Sequence, residues 1–510
     1  MSTKTYRTWV PEEMFLLPPS PMEWLPEGHL AYFILDVVLE LDLGSIDAAV
    51  QSTDPRGTRP YDPRMMVALL LFAYCRGVYS SRRIERATYE DVGFRVIAAG
   101  QHPHFTTISD FRLAHRERLA ALFTQVLLVC KRAGLTKLGL VALDGTKVKA
   151  SASKHKAMSY QRMLQEEARL QAEMKALLQR AEAIDAEENA ALGANEKPED
   201  LPAELRRREQ RLERIREARE ALEAEAKAAH DARGYDESAT TSSDAAPGDD
   251  EGDGSATTAP SSGPDPAKSG ESSTAKSAQG KVSKKEPPKH RVPTTADGKP
   301  TPKAQRNFTD PESRMMLGNK EFVQGFNCQA VVNEAQVIVA VEVTNHPTDM
   351  THLPIMVDAV YDNLGETPEV FLADSGYLSE ENVTYCELAG VEPIIAPGRI
   401  HHSEQGPINA DPENAAEENA PGADAAGLPV KQRMAAKLAT AEGRTAYAKR
   451  KILPEPVFGQ IKHARGFRRF SMRGLLAGRA EWSFVCTCHN LLKLFTGGAR
   501  RLDGLLAPVV

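Results

Sequence analysis

Three acidic residues stand on separate short elements of the sequence. Asp144 follows the apolar run Leu140-Val141-Ala142-Leu143 and precedes Gly145-Thr146, after which Lys147 to Ala150 alternates like a second short strand. Asp374 follows Val370-Phe371-Leu372-Ala373 and precedes Ser375-Gly376-Tyr377. Glu455 lies in LPEPVFGQIK, just after a basic helical stretch. A short apolar run bounded by turn residues reads as a buried strand. Each Asp is therefore expected where a strand leaves the core, held on rigid backbone and able to reach a ligand. A lone acid in such a place is most simply a turn residue, but the repeated design and the third carboxylate suggest one shared ligand. Carboxylate oxygens select a hard divalent cation, magnesium or manganese, over zinc. Two such ions about 4 Å apart activate a water or hydroxyl on one side of a phosphodiester and steady the leaving oxygen on the other. Phosphoryl transfer on nucleic acid is the chemistry implied.

The charge around Glu455 fits that substrate. Lys431, Arg433, Lys437, Arg444, Lys449, Arg450, Lys451, Lys462, Arg465, Arg468, Arg469 and Arg473 crowd one region against few acids beyond Glu442 and Glu455. Such a stripe neutralises phosphates and predicts salt-sensitive binding; its plainer reading is a solvated helix face. The net charge of −7 does not oppose DNA binding, because acidic tracts around Asp249 to Asp253 and Glu404 to Asp424 partly explain it, and local distribution is the better guide.

The segments ALDGTKVKA, GNKEFVQGFNCQAVV, LADSGY, PEPVFGQIKHARGFRRF and EWSFVCTCHNLLKL, in this order, together resemble the DDE transposases of bacterial insertion sequences. The resemblance implies a ribonuclease H-like core in which Asp144, Asp374 and Glu455 are the catalytic, metal-binding triad for Mg2+ or Mn2+, two ions in all. It implies cleavage at the ends of an insertion sequence and transfer of the 3′ hydroxyl to target DNA. Double-stranded DNA would be the partner, and a homo-oligomer would bring two ends together. Related transposases carry a Tyr, Arg, Glu, Lys signature whose Tyr, Arg and Lys handle DNA phosphates. Here Tyr447 and Arg450 keep their mutual spacing, as do Glu455 and Lys462, but one extra residue separates Arg450 from Glu455, so Lys451 stands as an alternative to Arg450. Arg465, Arg468 and Arg469 complete the expected DNA contacts. Two other readings stay open: a nuclease of the same fold without strand transfer, and a non-catalytic DNA-binding descendant, against which the intact acids argue.

Around these residues the chain divides by texture into a mixed α/β protein, with a core of about five strands and flanking helices. Residues 1–134 read as a helical DNA-binding or dimerisation module, irregular and proline-rich at first, with Asp62 capping a helix that has Pro63 in its first position. A longer helix from about Thr107 to Arg132 carries Arg112, His115, Arg116 and Arg118, a face for phosphate contact or for solvent. Residues 135–157 are the first part of the core. In 158–234, Leu170, Met174, Leu177, Ala181 and Ile184, then Leu205, Leu212, Ile215 and Leu222, space as two packed helices of a hairpin, serving either dimerisation or as a spacer. Residues 235–306 carry almost no large apolar side chain and are expected to be disordered. The core resumes over 307–396, with Asp349 as a helix cap and His346 as a loop residue. A flexible acidic insertion follows at 397–430, and 431–510 return to the core with Glu455 and the basic stripe. The scattered cysteines 75, 130, 328, 386, 486 and 488 suit a reducing cytoplasm. Cys486-Thr487-Cys488-His489 lacks a second ligand pair for zinc and reads as a core strand entering a helix. No apolar run is long enough to cross a bilayer.

Overall fold

The computed structural model describes residues 20–52, 59–192, 203–240, 291–318, 321–398 and 428–497. The stretch 1–19, most of the expected linker (241–290) and the acidic insertion over 399–427 lie outside the described residues. Helices α1 (Leu30–Glu40), α2 (Gly44–Gln51), α3 (Pro63–Cys75), α4 (Ser81–Glu90), α5 (Val92–Ile97), α6 (Phe105–Ala114) and α7 (Arg116–Arg132) build the first part of the chain. Asp62 caps α3 as expected, accepting from the Arg64 amide at 2.7 Å, with Pro63 behind it. The single helix expected to Arg132 breaks at His115 between α6 and α7. Two residues of its basic face turn inward: Arg112 and His115 are buried, and the Arg112 guanidinium donates to Tyr74 Oη at 3.0 Å and to the Tyr79 carbonyl at 2.9 Å. Those two side chains are tertiary struts, not phosphate ligands.

Strand β1 (Leu140–Lys149) follows, then β2 (Ala157–Ser159), the long helices α8 (Tyr160–Leu192) and α9 (Ala203–Thr240), and β3 (Gln305–Asn307). Strands β4 (Arg314–Leu317), β5 (Phe322–Asn333) and β6 (Ile338–Thr344) precede α10 (Leu353–Leu364), β7 (Val370–Ala373), α11 (Glu380–Leu388) and β8 (Glu392–Ile395). The chain closes with α12 (Val430–Ala439), α13 (Ala441–Ile452), α14 (Pro454–Gly459) and α15 (Leu475–Thr496). The turn expected at Gly145-Thr146 is absent, because β1 runs unbroken through Asp144 against β5, pairing Asp144 with Ala330 and Gly145 with Gln329.

The main sheet orders as β5, β1, β7, β8, with β4 and β6 end to end along the outer side of β5. β5 lies antiparallel to β1 and to β6, whereas β7 and β8 run parallel to β1. This is the expected ribonuclease H-like arrangement, widened by β4. β2 and β3 form a separate pair.

Helix α15 lies between the sheet and the N-terminal helices, and one apolar core runs from Phe33 and Leu70 through Trp482 to Val141, Val331 and Leu372. Its Cys486, Cys488 and His489 are buried within the helix, so no strand precedes it there. Asn490 pairs with both the amide (2.9 Å) and the carbonyl (2.8 Å) of Ile338, satisfying main-chain groups at the edge of β6. A second, smaller core joins α8 and α9 through Met163, Leu170, Leu212, Ile215 and Leu222, at the spacing the sequence predicts. The side chains of Ala181, Ile184 and Leu205 lie outside the described residues. Val292 and Ala304 complete this small core, and Glu225 on α9 pairs with Arg306 and Arg314. Residues 291–306 are therefore ordered, contrary to expectation: two apolar side chains and a half-buried ion pair tie a polar segment to the hairpin.

Candidate active site

The parallel pairing of β1 with β7 puts Ala142 beside Leu372, so Asp144, within β1, and Asp374, just past the end of β7, lie side by side. Both carboxylates face one guanidinium. Arg450, on α13, places Nη2 3.6 Å from Asp144 Oδ2 and 3.7 Å from Asp374 Oδ2. Asp144 Oδ1 also accepts from the Gly145 amide at 2.8 Å, and Asp374 Oδ1 from the Gly376 amide at 2.9 Å. The pair is electrostatically loaded. Burial pushes the Asp144 carboxyl up to about 6, with Arg450 opposing the rise while Asp374 and Asp349 add to it.

Tyr447, one helical turn before Arg450, lies against it; burial raises its phenol, and Arg450 acts in the opposite sense. Lys462 reaches the same edge from beyond α14, donating to Thr146 Oγ1 at 2.5 Å and to the Lys147 carbonyl at 2.8 Å. Burial pulls its ammonium below the usual lysine range, and Asp144 counters that pull. Of the two candidates left by the extra residue, Arg450 faces the acids and Lys451 is exposed.

Glu455 stands apart from this cluster. It is exposed in the first turn of α14, and among the described residues no group of three or more His, Cys, Asp or Glu side chains is gathered to hold a metal ion. Arg465 turns inward, to the Gln460 carbonyl and to His489 Nδ1 at 3.1 Å. Arg468 and Arg469 stay exposed beside the end of β1, with Arg468 also reaching the Lys462 carbonyl and His463.

The opposite face of the sheet holds residues the sequence reading did not assign to the site. Gly145 and Lys147 share that face with their partners Gln329 and Asn327. Asp349 lies across them and makes no side-chain cap bond, contrary to expectation; its Oδ1 accepts from Asn327 Nδ2 at 2.6 Å and Gln329 Nε2 at 2.8 Å, and lies 3.3 Å from Lys147 Nζ. Gln329 Oε1 in turn accepts from the Tyr377 hydroxyl. A Cβ on residue 145 would lie 2.6 Å from Gln329 Nε2 and 2.9 Å from Asp349 Oδ1, so the glycine after Asp144 serves close approach. The signal that could have found this face was Asn327 and Gln329 alternating within an otherwise apolar strand, since buried amides demand partners. His346 keeps to its loop, bonding Thr348.

The donor set fits a hard cation. Two carboxylates converge on one positive group, and Asp144 and Asp374 present the oxygen ligands that magnesium and manganese prefer. No described helix is long and apolar enough to cross a membrane.

Comparison with known families agrees with this fold. A transposase domain (DUF772) matches residues 19–114 and a transposase DDE domain matches residues 293–491, together more than half of the chain. The second match takes in Asp374 and Glu455, while β1 with Asp144 precedes it. No curated protein and no solved structure matches.

Proposed function

We propose that this chain, which belongs to the DDE transposases, cuts DNA at the ends of an insertion sequence and joins the freed 3′ hydroxyl to target DNA. The observation that carries the reading is the convergence of Asp144 and Asp374 on the Arg450 guanidinium, from two neighbouring interior strands of the sheet. DDE transposases generally use divalent metals, which when bound activate the attacking hydroxyl and stabilise the leaving oxygen. Asp144 and Asp374 would hold them, with Glu455 supplied from α14.

The chain's own residues do the rest. Lys462, anchored on Thr146 and the Lys147 carbonyl, presents a fixed positive charge beside Asp144. Arg450 and Tyr447 are placed to receive a strand phosphate, and Lys451, Arg468 and Arg469 extend the electrostatic track outside. Arg465, engaged with His489, orients the turn that carries its neighbours. The protein works in the bacterial cytoplasm, on double-stranded DNA, as a homo-oligomer that brings two ends together.

The test is cleavage and joining of DNA carrying the element's terminal repeats, with magnesium or manganese. Wild type cuts and joins, while Asp144→Asn, Asp374→Asn and Glu455→Gln bind DNA and lose at least about 1,000-fold in rate. Full activity in any one variant removes that residue from the triad. Cutting without joining moves the assignment to a nuclease of the same fold.

A further inference from the structure

We infer that Asp349 is a positioning residue of the active site, setting the separation of Asp144 and Asp374 through Gln329 and Tyr377. The inference rests on the reading of those two acids as ligands of one centre.

Asp144 is fixed by β1, but Asp374 lies past the end of β7, in the turn Ser375–Tyr377. That turn needs an anchor. Tyr377 supplies it: its amide donates to the Asp374 carbonyl at 3.1 Å, its side chain is buried, and its hydroxyl is held by Gln329 Oε1. Gln329 is the register partner of Gly145, immediately beside Asp144. The amide of Gln329 thus links the two carboxylate-bearing segments across the sheet.

The phenol hydroxyl of Tyr377 can donate or accept, so it does not by itself fix the orientation of this amide; the other end does, because a flipped amide would turn its carbonyl oxygen on a carboxylate. Asp349 settles the choice, because Oδ1 accepts from Gln329 Nε2 at 2.8 Å. The same oxygen takes Asn327 Nδ2 at 2.6 Å and lies 3.3 Å from the Lys147 ammonium, so it is held from three sides. Gly145 leaves the space for this arrangement, and the Asp349 Cβ lies 3.9 Å from the position a Cβ on residue 376 would take. Asp349 therefore packs against the glycines that follow both acids.

The test is manganese binding by the full-length chain without DNA, followed by electron paramagnetic resonance, with thermal unfolding and DNA binding measured alongside. Asp349→Ala weakens manganese binding about tenfold or more and lowers the turnover of cleavage, with DNA affinity unchanged. Asp349→Asn, which keeps an acceptor oxygen for Gln329, recovers most of the manganese affinity. Tyr377→Phe, which removes only the hydroxyl, weakens it to a similar degree, and the double variant Asp349→Ala with Tyr377→Phe is no worse than either alone. Manganese affinity unchanged in folded Asp349→Ala, or additive losses in the double variant, overturns the inference. A wild type that binds no manganese overturns the reading of the acids instead. Should Asp349→Ala fail to fold, Asp349→Asn and Tyr377→Phe decide: wild-type affinity in Tyr377→Phe overturns the linkage.

Discussion

At the scale of single residues the site is under electrostatic tension. Asp144 is half-buried, with its carboxyl pushed up to about 6, so the charge it needs for function is one the fold resists. A carboxyl whose pKa rises on folding takes up a proton on folding between its unfolded value near 4 and its folded value. Its contribution to stability is greatest below about pH 4 and is lost as pH climbs through about 6. Asp144→Asn removes that loss. The metal-free variant is expected to be more stable than wild type at pH 8 by on the order of 2 kcal/mol, with the difference gone at pH 4, as read from urea unfolding at both values. A wild type as stable as the variant at pH 8 would show that Arg450 fully offsets the burial. From the chain, the apolar runs point to Asp144 and Asp374, which the structure brings to one guanidinium, while Lys462 lies on Thr146 and Glu455 is outside that cluster. Asp349 was not legible, because an Asp before a helix has a sufficient local explanation as a cap, and only the long-range pairing of β1 with β5 reveals the amides it serves.

Among the elements, β1 does the most to assemble the site. It carries Asp144 toward α13 and α14 on one face, and Gly145 and Lys147 toward Asp349 on the other. Apolar runs identified β1, β5, β7 and β8 because their burial makes them nearly continuous in hydrophobicity. The reading stopped β1 too early because Asp-Gly usually signals a turn, whereas here the glycine answers crowding from Gln329 and Asp349. Gly145→Ala is accordingly expected to force those side chains aside, costing about 1–3 kcal/mol and slowing cleavage at least about tenfold, as measured by chemical denaturation and by turnover. An alanine variant with unchanged stability and rate would place the value of this glycine elsewhere. α13 and α14 were legible as a basic helix followed by a Pro-started turn; the facing of Arg450 rather than Lys451 required the packing of α13 against β1 and β7.

For the whole molecule, the N-terminal helices and the catalytic sheet share one core, with α15 packed between them. Glu481, buried on α15, accepts from Tyr74 Oη at 3.2 Å, from the Ser471 amide at 2.8 Å and from the Met472 amide at 3.2 Å, and Arg112 closes the network from α6. Replacing it leaves several buried donors without an acceptor. Glu481→Ala is expected to lower stability by about 3 kcal/mol, and hydrogen exchange should quicken in α3 and β5 together. Faster exchange confined to α3 would indicate two separately melting parts. No local pattern announces this joint, since its members lie hundreds of positions apart in sequence.

The pairing of β2 with β3 has a bearing on how such a chain tolerates change. Ala157 meets Asn307 across that small ribbon, so the helical hairpin leaves the core beside a neck two strands wide and touches the main sheet again through Glu225 and Arg314. Closing a loop costs a free energy that grows only with the logarithm of its length, about 0.6 kcal/mol for each doubling. Once the neck is pinned, lengthening or shortening what hangs from it leaves the register of β1 against β5 untouched. The intervening segment is thus free to drift in size over generations while the two strands that define the catalytic face stay matched.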